Sequence, residues 1–485
     1  MIKSSINSAL KASIFLSIFL LSILVSHGSK ALTYDEYIQQ VKSDNLSYSA
    51  SQESARSFEL LKKKAKLVTA IKVFATSERG FVEQNQALAI FRYNSVYTQT
   101  NRFGLSYDSE IGLKTNIFYS LNNSHYKGLN TTSLSNPVLA STNTQAIPTI
   151  EVSLPLWQNG FGRSTRAQRD SLFYNNQAQK LNAKALAISE LIDAEKTYWF
   201  LVYARKAVEI QKRALESAKK IYDYVYKKEK MNLGEKSDVL QAKALVESRE
   251  LFFKQAQNNE KIANRNFNQK RYINSEIVEE KLEDFDIKKL EKIVFSSVKP
   301  QDRIDVKAKK ALMKSMIANA KIEEESNKPS LNIYGSYSMT QIERNRDIAL
   351  QNSFDSKGRA GKIGVEFSMP LNIGLSSDVR LGARKAITSE KINYRSELAN
   401  QDLHWQNLIQ NLHNYQENLR LALAIESAQK AKLENERKLL KQGRTSTYQI
   451  LVFEQDYSNA ELNAQEMAYK FHQFLADKKL YEENL

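Results

Sequence analysis

Two periodicities divide this chain. Ile450, Phe453, Tyr457, Ala460, Ala464, Met467, Phe471 and Phe474 follow alternating steps of three and four residues, which keeps one apolar stripe on a coiled-coil-like helix. Trp405, Leu408, Leu412, Tyr415, Leu419 and Ala422 do the same upstream. In the first half the stripe is Leu181, Ala185, Ile188 and Ile192, then Val208, Leu215, Ala218, Tyr222 and Val225 after a slip of phase around "YWFLVY". Helix breakers are scarce in these stretches. Between Pro155 and Pro300 there is no proline, and between Gly162 and Gly335 the only glycine is Gly234; after Pro370 there is no proline, and after Gly382 the only glycine is Gly443. Both stretches therefore read as long helical hairpins, each bent once at its glycine. A helix from Ser164 to about Met231 would be roughly 100 Å long at ~1.5 Å per residue.

The second periodicity precedes each hairpin. In "TIEVSLPLWQ" Ile150, Val152 and Leu154 alternate with polar residues, as do Ile363, Val365, Phe367 and Met369 in "KIGVEFSMPLN". "SLNIYGSYSMT" alternates Leu331, Ile333, Gly335, Tyr337 and Met339, and "NRFGLSYD" and "LKTNIFYSL" flank a turn around Gly112. Period two with one apolar side is the pattern of a half-buried strand. Polar Asn/Ser/Thr-rich loops separate the strands, and shorter helical segments, 34 to 72 and about 301 to 327, come before them. Residues 74 to 122 hold more strand-like text than one strand requires.

The chain also repeats itself. "ALESAKKIYDYVYKKEKMNLGEKSDVL" (214–240) and "AIESAQKAKLENERKLLKQGRTSTYQI" (424–450) share Ala-x-Glu-Ser-Ala-x-Lys, a glycine and a serine three residues beyond it (Gly234 and Ser237, Gly443 and Ser446), while Glu-Val-Ser-Leu-Pro-Leu and Glu-Phe-Ser-Met-Pro-Leu end the two strands. The organisation expected is an internal tandem duplication. Residues 32–299 and 300–485 each form a repeat of helix, strand pair and long helical hairpin.

Composition narrows where such a chain works. Residues 1–31 carry Lys3 and Lys11, the apolar run "SIFLSIFLLSILV" and the small-residue end "SHGSKA", the layout of a secretory signal peptide cleaved after Ala31 or Gly28. Of the +16 formal charge, +13 remains once that segment and its three lysines are removed. Lysines interleave with glutamates on the helical stretches, which is a solvated face and not a nucleic-acid footprint. With no cysteine in the chain, disulfides, thiolate metal ligands and an N-terminal lipidated cysteine are excluded.

Four strands with one apolar face cannot close a membrane barrel within one chain, which needs about eight or more and tolerates no open edge in lipid. Copies must pool strands, and three would supply twelve. Long helices with a narrow apolar seam make the parallel demand for packing into a ring. Pro155 and Pro370 mark where strand yields to helix, with Gly160 and Gly162 for the bend and Ser164 as N-cap of the first hairpin.

The chain resembles the TolC family of outer-membrane channel proteins. The residues that carry the likeness are "LTYDEYIQQVKSDNLSY", "VSLPLWQNGFGRSTRAQRD", "GEKSDVLQAKA", "DRIDVKAKKALMKSMIANAKIEEESNKPSLNIYGSYS" and "GRTSTYQILVFEQDYSNAEL". Together they span essentially the whole mature chain. The resemblance implies an α+β membrane protein, a homotrimer with a twelve-stranded β-barrel in the outer membrane of a Gram-negative bacterium, four strands per chain, continued by a long α-helical barrel in the periplasm. It implies an exit duct for an efflux pump or a type I secretion system, partnered by a periplasmic adaptor, an inner-membrane pump and outer-membrane lipid. The glycine bends then form the inner mouth, with Gly234, Ser237, Asp238, Gly443, Arg444, Ser446, Gln449 and Glu454 as aperture or adaptor-contact residues. Asp238 matches the family's first-hairpin aspartate. Gln449 and Val452 stand where relatives place two aspartates, and Glu454 and Asp456 are out of register with them.

No catalytic, cofactor or metal constellation emerges. Five histidines (27, 125, 404, 413 and 472) lack metal-ligand spacing, and the "GFG" at 160–162 lacks the third glycine of a dinucleotide loop. The competing reading is a periplasmic or surface structural coiled-coil protein, which explains the helices but gives the one-faced strands no purpose.

Overall fold

The computed structural model describes residues 31–83, 93–128, 141–355 and 358–482. Apart from Ala31, the expected signal peptide lies outside them. In chain order the helices are α1 (Tyr34–Asp44), α2 (Leu46–Leu61), α3 (Arg163–Lys230), α4 (Lys236–Lys270), α5 (Ile287–Glu291), α6 (Ile304–Ser326), α7 (Arg346–Gln351), α8 (Ile373–Lys441) and α9 (Thr447–Lys478). The strands are β1 (Lys72–Glu83), β2 (Ser95–Asp108), β3 (Lys114–Lys127), β4 (Thr142–Pro155), β5 (Ser330–Met339), β6 (Gln341–Glu343) and β7 (Arg359–Ser368). Among the described residues no helix is long and apolar enough to cross a membrane. Two compact units divide the chain: one takes the residues through Gln52, Ala185–Arg303 and Asp402–Leu485, the other Glu53–Lys184 and Ile304–Gln401.

The first unit is built on aromatic packing. Tyr37 and Val41 of α1, Tyr198, Trp199 and Leu201 of α3, Phe267 of α4, Leu412 and Leu419 of α8 and Phe471 of α9 share one buried cluster. The expected single helix over 34–72 is interrupted at Asn45. Its side chain accepts the Tyr48 N–H at 2.8 Å, starting α2, and donates to the Lys270 carbonyl at 3.0 Å, so a tertiary bond competes with helix continuation. Residues 272–303, after α4, are mostly irregular and depend on side chains to satisfy their carbonyls. Gln416 Nε2 donates to the carbonyls of Leu290, Glu291 and Ile293 at 3.0–3.1 Å, and Trp405 Nε1 to that of Ser297 at 3.0 Å.

The second unit holds the sheet, ordered β1-β2-β3-β4-β5-β7 with every neighbour antiparallel and β6 paired to β4. Directly opposed residues share a face, so the registers define its chemistry. One row runs Val73, Leu105, Ile117, Ile150, Tyr337. The next rows hold Ala75, Phe103, Tyr119 and Pro148 on one side, and Val152, Gly335 and Ile363, then Leu154, Ile333 and Val365, on the other. Many of these side chains are open, Phe103 at 63%, Ile363 at 85% and Val365 at 66%. Such a contiguous exposed apolar face is foreign to a water-soluble surface. The opposite face carries Lys114, Asn116, Ser120, Glu151, Ser153, Asn332, Ser336, Lys362 and Glu366.

The expectation of four strands per chain is corrected. Six long strands and one short one form the sheet among the described residues, so a sum of twelve over three copies does not follow. Among the described residues the surplus text at 74–122 is most of β1, the whole of β2 and the start of β3. Of these β1 escapes a period-two reading, because Ser77 and Arg79 interrupt its apolar face.

Strand gives way to helix at a strained joint. Pro155 ends β4, Gly160–Gly162 make a 3-10 turn, and Asn159, Phe161 and Gly162 have φ of 55°, 52° and 74°. The expected cap at Ser164 is corrected: α3 starts at Arg163, and Asn159 Oδ1 accepts the N–H groups of Ser164 and Thr165 at 2.7 and 3.0 Å. Asn tolerates the left-handed conformation that holds its oxygen there. Pro370 follows β7 by two residues and precedes α8 by three.

A Cβ on Gly162 would stand 1.9 Å from the Glu110 carbonyl oxygen, whereas one on Gly382, inside α8, meets nothing within 4 Å. Gly162→Ala is expected to destabilise the protein by at least about 1–2 kcal/mol. Gly382→Ala is expected to stabilise it by up to about 1 kcal/mol; opposite shifts in melting temperature check the pair. A second test concerns His472, stacked on Trp199 with centroids 3.9 Å apart and on Phe285 at 5.4 Å. Burial, then Lys479 and Lys289, push its pKa from 6.5 down to about 3. The unfolded chain takes up that proton first, so stability present above pH 6.5 is lost as pH falls toward 3. Between pH 7 and 5 the wild type should lose about 1–2 kcal/mol relative to His472→Phe, read as the difference in urea midpoints.

Candidate functional site at the helix bends

Both bends lie in the first unit. The α3–α4 turn is closed by Leu233 N–H donating to the Lys228 carbonyl at 2.9 Å, with Asn232 at φ 58°. The α8–α9 turn is closed by Arg444 N–H donating to the Leu439 carbonyl at 3.0 Å, with Gly443 at φ 67°. Both are left-handed helix terminations with a six-to-one bond. In the first, asparagine and not Gly234 takes the left-handed position. The next helices begin three residues later, with Glu235 as N-cap of α4 and Ser446 as N-cap of α9. Ser446 Oγ accepts the Gln449 N–H at 3.2 Å. Ser237 does not cap; its hydroxyl donates to Glu235 Oε2 at 3.1 Å. The written Gly-x-x-Ser phrases are thus two residues out of step with the folded turns, and it is Asp238 and Gln449 that occupy the same third helical position. Gly234, Ser237, Gly443, Arg444 and Ser446 are exposed, and Asp238 and Gln449 half-buried.

The structure brings the two bends together through apolar contacts. Ile221 and Val225 of α3 and Ile450 and Leu451 of α9 form a buried cluster, against which Val239 and Leu245 of α4 and Leu440 of α8 pack. Glu454, one turn beyond Ile450, belongs to a polar layer next to it. Its carboxylate is buried and accepts from Ser217 Oγ at 2.8 Å and from Arg437 Nε at 2.9 Å and Nη2 at 2.5 Å. Arg437 Nη2 also reaches Ser217 Oγ at 3.2 Å. Arg249 of α4 is 3% exposed and its Nη2 has no hydrogen-bond partner among the described residues. Burial lowers its pKa and the Glu454 charge opposes that shift. One carboxylate on α9 therefore serves groups from α3, α4 and α8. Sequence reasoning selected Glu454 but missed Ser217, Arg249 and Arg437, although Ser217 stands in the Ala-x-Glu-Ser-Ala phrase that opens the repeated passage. Among the described residues no group of three or more His, Asp or Glu could hold a metal.

Arg437, the ion-pair partner of Glu454, is half exposed, so removing the carboxylate acts chiefly through the loss of its hydrogen bonds and of the charge that opposes the enclosed Arg249, at a cost of about 1–3 kcal/mol. Glu454→Ala should therefore open the bend region, accelerating amide hydrogen exchange in α3 and α4 near Ser217 and Arg249 by about 10-fold or more. Glu454→Gln, still able to accept from Ser217, should lose less. Unchanged exchange in Glu454→Ala would show that the layer contributes nothing to holding the bends.

No sequence-family profile matches the chain, and no curated protein matches it in sequence. Its fold is similar to that of the outer membrane protein VceC from Vibrio cholerae, at a TM-score of 0.62 and 13% identity over 92% of this chain and 94% of that one. The Campylobacter jejuni CmeC outer membrane channel gives 0.62 and 15% over 92% and 85%. The open state of the Neisseria gonorrhoeae MtrE outer membrane channel gives 0.63 and 16% over 92% and 88%. At such identities the likeness is one of backbone architecture, and in that architecture the chain has the fold of the TolC-family outer-membrane channels.

Proposed function

We propose that this chain is an outer-membrane channel, the passive exit duct of a tripartite efflux pump or a type I secretion system. The observation that carries the reading is the sheet: one face is apolar across its width and largely open, a surface suited to lipid, while the other is polar, a surface suited to an aqueous bore. In this reading the chain is exported by its N-terminal signal, inserts its strands in the outer membrane of a Gram-negative bacterium as a homotrimer, and extends its helices into the periplasm. The repeats are residues 32–299 and 300–485. The bends, with Gly234, Ser237, Asp238, Gly443, Arg444, Ser446 and Gln449, form the inner rim that a periplasmic adaptor contacts, and Glu454 braces that rim from behind. Transport energy comes from an inner-membrane pump, and the duct itself catalyses nothing.

Such a protein, purified without its signal segment and added to a planar bilayer, should give discrete conductance steps and a trimer mass in mild detergent. Asp238→Asn should reduce its cation preference if Asp238 faces the aperture. A soluble, non-conducting species would overturn the channel reading and favour a structural coiled-coil protein.

A further inference from the structure

At the end of the sheet where β4 leaves and β5 enters, the second unit holds a cavity of about 520 Å³ between the start of α3 and the end of α6. The two connections are tied together beside it, by Gln158 N–H on the Pro329 carbonyl at 3.1 Å and Gln158 Nε2 on the Ser326 carbonyl at 2.7 Å. Trp157 stands on the same joint and is 46% exposed. An open tryptophan where an apolar sheet face ends is characteristic of a membrane–water interface.

Five cationic side chains, Arg163, Arg166, Lys314, Lys321 and Lys328, line the cavity against three acidic ones. Two of the acids have partners of their own, Glu324 with Arg384 at 2.7 Å and Asp170 with Arg169 at 3.4 Å. Lys321 is exposed, and Lys314 lies over the Tyr174 ring, 4.9 Å from its centroid. This balance calls for an anion.

The third acid, Glu325, is 6% exposed and unevenly used. Its Oε1 accepts from Lys328 Nζ at 2.5 Å and faces Arg163 Nε at 3.5 Å, while its Oε2, also enclosed, has no hydrogen-bond partner among the described residues. An enclosed carboxylate oxygen without a donor is costly, so the cavity calls for an N–H group as well. A simple anion would leave that oxygen bare and set like charges side by side. A ligand that carries a phosphate and, two carbons away, an ammonium meets both demands, since Lys321 and Glu325 are one helical turn apart on α6, about 5.4 Å.

Resting on the outer-membrane reading above, we propose that this cavity seats the phosphoethanolamine headgroup of a membrane phospholipid, its phosphate on Lys314 and Lys321 and its ammonium on Glu325 Oε2. A phosphocholine headgroup has no N–H to donate, and a phosphoglycerol headgroup brings no positive charge to the carboxylate.

The test is lipid retention. The purified chain in mild detergent is equilibrated with equal amounts of phosphatidylethanolamine, phosphatidylcholine and phosphatidylglycerol of one acyl composition, repurified, and its retained lipid counted by mass spectrometry. Phosphatidylethanolamine should be held in preference to the other two. Glu325→Gln should lower its retention by about tenfold, to the level of phosphatidylcholine. Lys321→Gln, made at an exposed side chain outside the core, should instead weaken phosphatidylethanolamine and phosphatidylcholine together. Displacement by inorganic phosphate as readily as by glycerophosphoethanolamine would reveal a free-phosphate site and overturn the inference. Equal retention of the three lipids in a preparation that conducts would overturn it while leaving the channel in place. A preparation that neither conducts nor retains phospholipid would remove the channel reading and the inference with it.

Discussion

Every backbone N–H and C=O on a sheet edge needs a partner, and in an apolar solvent only another strand supplies one. That constraint orders the second unit. Under the channel reading, a sheet that shows Phe103, Ile117, Ile150, Ile363 and Val365 on one face and Lys114, Glu151, Lys362 and Glu366 on the other would separate two solvents. The strained turn at 159–162 then turns the chain from β4 into α3 within a few residues, and Asn159 meets the N-terminal hydrogen-bond demand of a 68-residue helix that has no capping residue immediately before it.

The first unit solves a different problem, holding long helices with narrow apolar seams in fixed register. Aromatic side chains of α1, α3, α4, α8 and α9 pack together in its large cluster, and Gln416 and Trp405 hold the irregular segment against it. Toward the bends that cluster gives way to a small aliphatic one. There the specificity passes to charge, with Ser217, Arg249, Arg437 and Glu454 fixing which helix faces which.

Helices and the later strands were legible because their signals are local and redundant. Scarcity of proline and glycine marked α3, α4, α8 and α9, and unbroken alternation marked β4, β5 and β7. What escaped was set by neighbours. β1 carries Ser77 and Arg79 on the apolar side, so only its pairing with β2 reveals it. Asn45 and Asn159 override the expected helix limits through bonds the linear text does not contain. Asn232, in place of Gly234, takes the left-handed position because both residue types permit it and closure of the helix end decides between them. Of the polar layer, Glu454 was visible and its partners were not, since Ser217 lies 237 residues away in sequence.

Burial of Glu454 and Arg249 also sets how the bends respond to the surrounding medium. Counter-ions in solution reach exposed pairs such as Lys243–Glu247 and Lys254–Glu250 on α4, whose attraction fades as ionic strength rises and the screening length falls to about 8 Å at 0.15 M. They reach the Glu454 carboxylate, 8% exposed, far less. As ionic strength rises the exposed pairs along the hairpins therefore weaken first, and the joint between the hairpin ends keeps more of its electrostatic strength.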